Sequence, residues 1–296
     1  MTSEPIIDAH HHIWRLAHTP WLQGPPVPRI FGDYAPLRRD YLADEFIGEA
    51  AAEGVVKSVY VQINMAPGRE VDEVAWVQSV AAEHGFPHAI TGYADLNAAD
   101  VAAVLDREAA YPNLRAIRQQ LHWHENPLYR FAPRPDGMND PAWRRGLSAV
   151  QARGLAFELQ VFAGQMADAA RLADEFPRLQ FVLLHAGMLA DRSAAGWAEW
   201  RAGLKALAAR PNLAVKLSGL GTFVRACSTA LWRPLVEETV ALFGPDRCLF
   251  GSNFPIEKLW TTYRQLVDVM RECLAGLSPA ERRAVLHDTA ARLYRL

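Results

Sequence analysis

The sequence is poor in cysteine: only Cys227, Cys248 and Cys273 occur, an odd number without C-x-x-C spacing. That excludes a disulfide framework and offers no thiolate zinc site. It also lacks an excess of either charge, with 31 Lys and Arg against 33 Asp and Glu and a formal charge of −2. Bulk electrostatics therefore gives no reason to expect nucleic acid or an anionic membrane as a partner. No run approaches the ~18 apolar residues of a membrane span, and Glu4, Asp8 and a set of histidines stand where a signal peptide needs a basic start and an apolar core. A soluble protein in the reducing cytoplasm is expected. No glycine-rich phosphate loop follows the first apolar run, which argues against a doubly wound nucleotide-binding sheet. Internal repeats and low-complexity tracts are absent as well.

What is present is a regular succession of short aliphatic runs separated by Ala-, Glu- and Arg-rich stretches of helical period. Strands are expected at 5–10, 55–63, 88–96, 114–121, 155–162, 179–187, 213–220 and 247–253. Helices are expected near 41–53, 70–84, 98–110, 141–153, 165–176, 196–209, 229–243, 262–275 and 279–294. Ser278 followed by Pro279 marks the start of the last helix. Eight βα units in 296 residues, 50% of them hydrophobic, predict an α/β fold: a (β/α)8 TIM barrel forming one domain over 1–296. The least regular stretches, 15–40 and 122–140, are rich in Pro, Gly and aromatics and read as long loops over one mouth.

In such a barrel the chemistry sits at the C-terminal ends of the strands. The first run, "PIIDAHHHIW", ends there with three consecutive histidines. Strand alternation places Asp8, His10 and His12 on one face and Ala9, His11 and Ile13 on the other. His185 ends the sixth run, and with His10 and His12 it makes a set of neutral imidazoles able to hold a zinc-like ion with an open position, or to contact substrate directly with no ion. Arg118 lies in an apolar strand, where a buried guanidinium needs a carboxylate of protein or substrate. Lys216 in "LAVKLSG" poses the same question. Gln160 ends the fifth run and Asn253 the eighth; His122, His124 and Trp14 belong to the mouth loops.

"IIDAHHHIW", "LLHAG", "VKLSGL" and "LFGSNFP" occur in that order along nearly the whole chain. Together they resemble the amidohydrolase superfamily in its amidohydrolase-2 branch, and within it the sugar-acid and pyrone-dicarboxylate lactonases. The resemblance implies a hydrolase that opens a small lactone or related cyclic ester by adding water to the carbonyl, in carbohydrate or aromatic catabolism. It assigns the first-strand pair to His10 and His12 and the "HAG" histidine to His185, and it directs Arg118 at a substrate carboxylate or carbonyl. Metal-dependent decarboxylases of aromatic acids belong to the wider branch. One departure matters: where the family has an aspartate in "GSDWP" or "GTDWP", this chain has Asn253 in "GSNFP". An amide can orient water but cannot act as a base near neutral pH, and loss of the anionic ligand weakens any metal site. Two consequences are expected. Catalysis without a metal becomes an alternative to one divalent ion such as zinc on His10, His12 and His185, and the base becomes a histidine of the trio or Glu257, which is otherwise a solvated loop carboxylate. A barrel that has lost catalysis and kept ligand binding is the third reading. The expected partner is a small-molecule substrate; no segment marks a protein interface, and a homo-oligomer is compatible with the sequence.

Overall fold

The computed structural model describes residues 4–296. Eight parallel strands pair in chain order: β1 (Ile6–His11), β2 (Val55–Val61), β3 (Ala89–Gly92), β4 (Leu114–Arg118), β5 (Ala156–Leu159), β6 (Phe181–Leu183), β7 (Leu213–Leu217) and β8 (Cys248–Phe250). The α-helices are α1 (Pro20–Gln23), α2 (Ala43–Ala51), α3 (Glu70–His84), α4 (Val101–Ala109), α5 (Pro141–Ala152), α6 (Met166–Glu175), α7 (Ala194–Ala208), α8 (Thr229–Phe243), α9 (Tyr263–Cys273), α10 (Pro279–Arg283) and α11 (Thr289–Tyr294). This is the expected (β/α)8 barrel. No helix among the described residues is long and apolar enough to cross a membrane.

Helix starts follow local chemistry. Asp140 accepts from the Ala142 amide ahead of α5, Ser193 from Gly196 ahead of α7, and Ser278 and Glu281 form a reciprocal capping box at α10. All the expected strands form, but most are shorter at the C-terminal end than the apolar runs suggest. Parallel pairing stops where the chains diverge toward the mouth, so Gln62, Asp95, Gln160, His185, Ser218 and Asn253 follow their strands instead of lying in them.

Expected alternation fails in β1. Asp8 pairs with Ser58 and His11 with Tyr60, so three steps along β1 match two along β2, and one residue is bulged. His11 and Asp8 therefore turn toward the helices while His10 and His12 turn inward. His11 stacks on Phe46 of α2 at 3.7 Å between ring centroids, its Nε2 3.0 Å from Ser58 Oγ. Asp8 joins the two ends of the sheet: it accepts from the Ser252 amide (2.8 Å), Ser252 Oγ (2.6 Å), the His10 amide (3.0 Å) and the Tyr263 hydroxyl of α9 (2.9 Å). Beside it, the His12 amide donates to Phe254 O and the Asn253 amide to His10 O, each at 2.7 Å, closing β8 on β1 at the mouth.

The lower interior is lined by small side chains, Ala9, Ala89, Ala116, Ala156 and Ala214 with Ile7, Val59, Val182 and Leu249, and is plugged by Tyr294 and Ala290 of α11. Above this layer lies a buried ion pair. Lys216 Nζ donates to Glu158 Oε1 at 2.6 Å, both side chains fully buried, and the same oxygen accepts from the Tyr294 hydroxyl (2.6 Å) and Thr91 Oγ1 (2.8 Å). Removing one partner strands the other charge, so Lys216→Met should destabilise the protein by ~3–5 kcal/mol in urea unfolding. Adding Glu158→Gln should recover more than half of that loss. Equal instability of the single and double variants would show that Lys216 stabilises by some route other than Glu158.

Candidate active site

The β1 bulge delivers His10 and His12 to the barrel axis, and His185 arrives at the end of β6. The His10 ring centroid lies 5.1 Å from that of His12 and 4.7 Å from that of His185. Two glycines permit this approach. A Cβ on Gly251 would stand 2.6 Å from His10 Cβ, and one on Gly219, whose φ is +60°, would stand 2.5 Å from His185 Nδ1. Asn64, His185 and Asn253 themselves hold left-handed φ values of 57°, 55° and 56°, a cost of order 1–3 kcal/mol each that surrounding structure must sustain and that clusters at functional sites.

The tautomer of His12 is fixed. Its Nδ1 is 2.7 Å from the Val61 carbonyl, which can only accept, so Nδ1 carries the proton and Nε2 the lone pair. His185 Nδ1 is 3.0 Å from Ser218 Oγ. Burial, reinforced by Arg118 and Lys216, holds all of these imidazoles below their ordinary range, His12 at about 3.

Successive carbonyls at the end of β2 and in the loop after it orient successive groups of the site. Val61 O takes His12, Gln62 O accepts from the Arg118 guanidinium, and Ile63 O accepts from Trp21 Nε1 at 2.9 Å. The loop is held from behind by Glu73 of α3. Its buried carboxylate accepts the Ile63 amide (2.7 Å), the Met65 amide (3.0 Å) and the Tyr60 hydroxyl (2.8 Å).

A cavity of about 490 Å³ opens at this end of the barrel, lined by His12, His185, Arg118, Asn253, Gln160, His122 and Trp14, among others. These are the sequence-named residues that the structure brings together. His10 lies beneath them. Gln160 Oε1 is buried without a partner among the described residues, while Trp14 donates to Arg39 O at 2.8 Å. His122, expected in a mouth loop, is buried there beside Phe131 and Phe162, and burial lowers it to about 3. Lys216 does not line the cavity and is engaged by Glu158 below it. His124 lines a neighbouring cavity of about 340 Å³ with Phe162 and Trp200.

Glu257 is fully buried, which corrects its reading as a solvated loop carboxylate. It stands behind Asn253 and outside the cavity lining, accepting from Trp260 Nε1 at 2.7 Å and from Thr222 Oγ1 at 3.5 Å. Burial pushes its carboxyl up to about 8 against hydrogen bonds that include one from Asn253. Sequence reading missed Glu73, which looked like an ordinary first-turn acid of a helix, and Arg29, Phe31, Arg130 and Phe223, which sit in aperiodic loops and line the cavity. The mouth loops themselves, 15–40 and 122–140, do both contribute walls.

The donor chemistry suits a divalent ion in one respect. Both ring nitrogens of His10 are buried without a partner among the described residues, the state an ion or water would relieve. Neutral imidazoles are also the form that binds metal. No anionic side chain completes the set, and among the described residues no group of three His, Cys, Asp or Glu stands at ligand spacing. The orphaned His10 nitrogens and the neutral imidazoles thus supply donors of the right chemistry, while the trio does not stand at ligand spacing here.

The depressed pKa of His122 makes stability depend on pH. Between its folded value of about 3 and the ordinary 6.5, the unfolded chain binds a proton that the folded chain does not, so the stability it contributes is intact above 6.5 and is lost as pH falls. His122→Phe should therefore gain about 2 kcal/mol relative to the parent on going from pH 7 to pH 5, read from urea midpoints. A pH-independent difference would mean that His122 titrates normally.

The amidohydrolase family matches residues 7–296. An uncharacterized protein of Sinorhizobium fredii is 38% identical over 100% of both chains. An L-fucono-1,5-lactonase of Burkholderia multivorans is 32% identical over 98% of this chain and 96% of its own length. An amidohydrolase of Burkholderia multivorans, solved with bound zinc, superposes with a TM-score of 0.82 at 30% identity, covering 99% of each chain. With its barrel, its mouth histidines and this full-length match, the chain belongs to the amidohydrolase family and is one of its enzymes.

Proposed function

We propose that the protein opens a small lactone by adding water to the ring carbonyl at the barrel mouth. The observation that carries this reading is the meeting of His12, His185, Arg118 and Asn253 in one cavity, together with lactonase activity in the name of a relative that matches almost end to end. The His12 Nε2 lone pair is the acceptor. As water attacks the carbonyl carbon, its proton passes to Nε2 and the carbonyl π pair moves onto oxygen, which Arg118 stabilises. Collapse of the tetrahedral adduct breaks the ring C–O bond, and the imidazolium returns its proton to the departing alkoxide. A pKa of about 3 makes His12 a weak base but a strong acid once protonated, so the second transfer is steeply favourable. Asn253 places the water and Glu257 places Asn253; the base is His12, and Glu257 does not touch the reacting atoms. His185 and Gln160 orient the substrate, with Trp14 and His122 as walls. The alternative is a divalent ion such as zinc, which His10, His12 and His185 would hold and which would supply Lewis-acid polarisation of the carbonyl; the His12 Nε2 lone pair would then serve the ion and not the water proton.

A panel of sugar and aromatic lactones, followed by proton release, tests this. Ring opening is expected, with kcat reduced ~10²–10⁴-fold in His12→Ala and ~10²–10³-fold in Arg118→Met, and within about ten-fold of the parent in Glu257→Gln. Because His12 stays neutral above about 3, kcat should show no acid limb between pH 5 and pH 8. Full activity in His12→Ala, or a collapse in Glu257→Gln, would reassign the base. Carbon dioxide release from aromatic acids without lactone turnover would overturn the reaction class.

A further inference from the structure

The cavity is lined by Arg29, Arg118 and Arg130 and by no aspartate or glutamate. None of these three is held by a carboxylate among the described residues; neutral groups hold them all. Arg118 donates to the Gln62 carbonyl. Arg130 donates to the carbonyls of His124 and Glu125, each at 3.1 Å, and lies 4.9 Å over the Trp123 ring. Arg29 lies 5.5 Å over the ring of Trp21, which is itself fixed to Ile63 O. The Nε of Arg29 and that of Arg118 are buried with no partner among the described residues. Elsewhere some arginines meet acids, as Arg39 with Glu45 and Arg153 with Asp106, and others, such as Arg38 and Arg247, meet carbonyls alone; what sets the cavity apart is that three arginines line one concave site whose described lining residues include no carboxylate.

Guanidinium groups lining a partly enclosed site with no carboxylate in contact have donors to spare, which an anionic ligand satisfies. Their placement separates two tasks. Arg118 ends β4 and is almost wholly buried, at the level of the histidines. Arg29 and Arg130 come from the loops after β1 and β4, half-buried and exposed respectively, at the mouth. We infer that Arg29 and Arg130 form a subsite for a free carboxylate, and that the substrate is the lactone of a hydroxy-dicarboxylic acid: one carboxyl closed into the ring at Arg118, the other ionised and held at the mouth. Adding water to such a ring gives an open-chain dicarboxylate and one proton. This deepens the lactonase reading and rests on it for the reaction, although the anion subsite does not.

The test compares two lactones that differ at one carbon, an aldonic acid lactone with a neutral terminal hydroxymethyl and the corresponding aldaric acid lactone with a terminal carboxylate. The parent enzyme should favour the acid lactone in kcat/KM by about ten-fold or more. That preference should shrink with added salt and should fall about ten-fold in Arg29→Gln through KM; Arg130→Gln serves if the first variant misfolds. Turnover of the neutral lactone with equal or better kcat/KM overturns the subsite and leaves the lactonase reading intact. If neither lactone opens, titration calorimetry with glutarate separates the ideas: binding weakened by Arg29→Gln supports the subsite while the lactonase reading fails, and absence of binding overturns both.

Discussion

The site depends on one short loop being rigid. The carbonyls of Val61, Gln62 and Ile63 accept in turn from His12, Arg118 and Trp21, so the tautomer of His12, the direction of the Arg118 guanidinium and the ring beneath Arg29 are fixed by consecutive peptide units. Consecutive carbonyls can face three partners only where the chain leaves the regular strand, and Asn64, with its left-handed φ of 57°, turns it. Glu73 compensates for what the departure costs. The Ile63 and Met65 amides have left the sheet ladder, and a buried carboxylate on the next helix accepts both. A surface acid in the first turn of α3 would have served the helix equally well; this one is turned inward to serve the loop.

Electrostatics runs through the barrel in layers. At its middle Glu158 accepts from Lys216, Thr91 and Tyr294, and above it Arg118 and the three histidines meet without a carboxylate on the cavity wall. Positive potential from Arg118 and Lys216 adds to burial in keeping the imidazoles neutral. Neutral imidazoles keep their lone pairs available to accept a proton. The same field that makes His12 hard to protonate favours negative charge in the cavity, whether on the tetrahedral oxyanion or on a ligand.

Much of this was legible in the sequence because barrels place their chemistry at strand ends, and strand ends can be found from aliphatic runs. The histidines, Arg118, Gln160 and Asn253 were visible on that basis. The bulge in β1 was not, because alternation in "IIDAHHHI" is equally consistent with a regular strand; the extra residue is specified by the pairing with Ser58 and Tyr60 across the sheet. Glu158 left a signal of its own: a lone glutamate in "LAFELQVF", beside Arg115 and Arg118 in "LRAIRQQL" and Lys216 in "LAVKLSGL", is the only acid to balance cations among those three apolar strands. Arg29 and Arg130 left none, since loop residues carry no period and their convergence is a property of the closed fold.

Asn253 connects these features. An aspartate at this place would put an anion on the cavity wall beside His12, where it would neutralise part of the field and raise the basicity of the imidazoles. An amide of the same shape keeps the backbone hydrogen bond to His10 O and the contact with Glu257 while removing the charge. Glu257 does not restore it, because burial with its carboxyl at about 8 keeps it mostly neutral at physiological pH. The replacement and the three unpaired arginines therefore act in the same direction: both leave the cavity positive, and both suit a substrate that brings its own carboxylate.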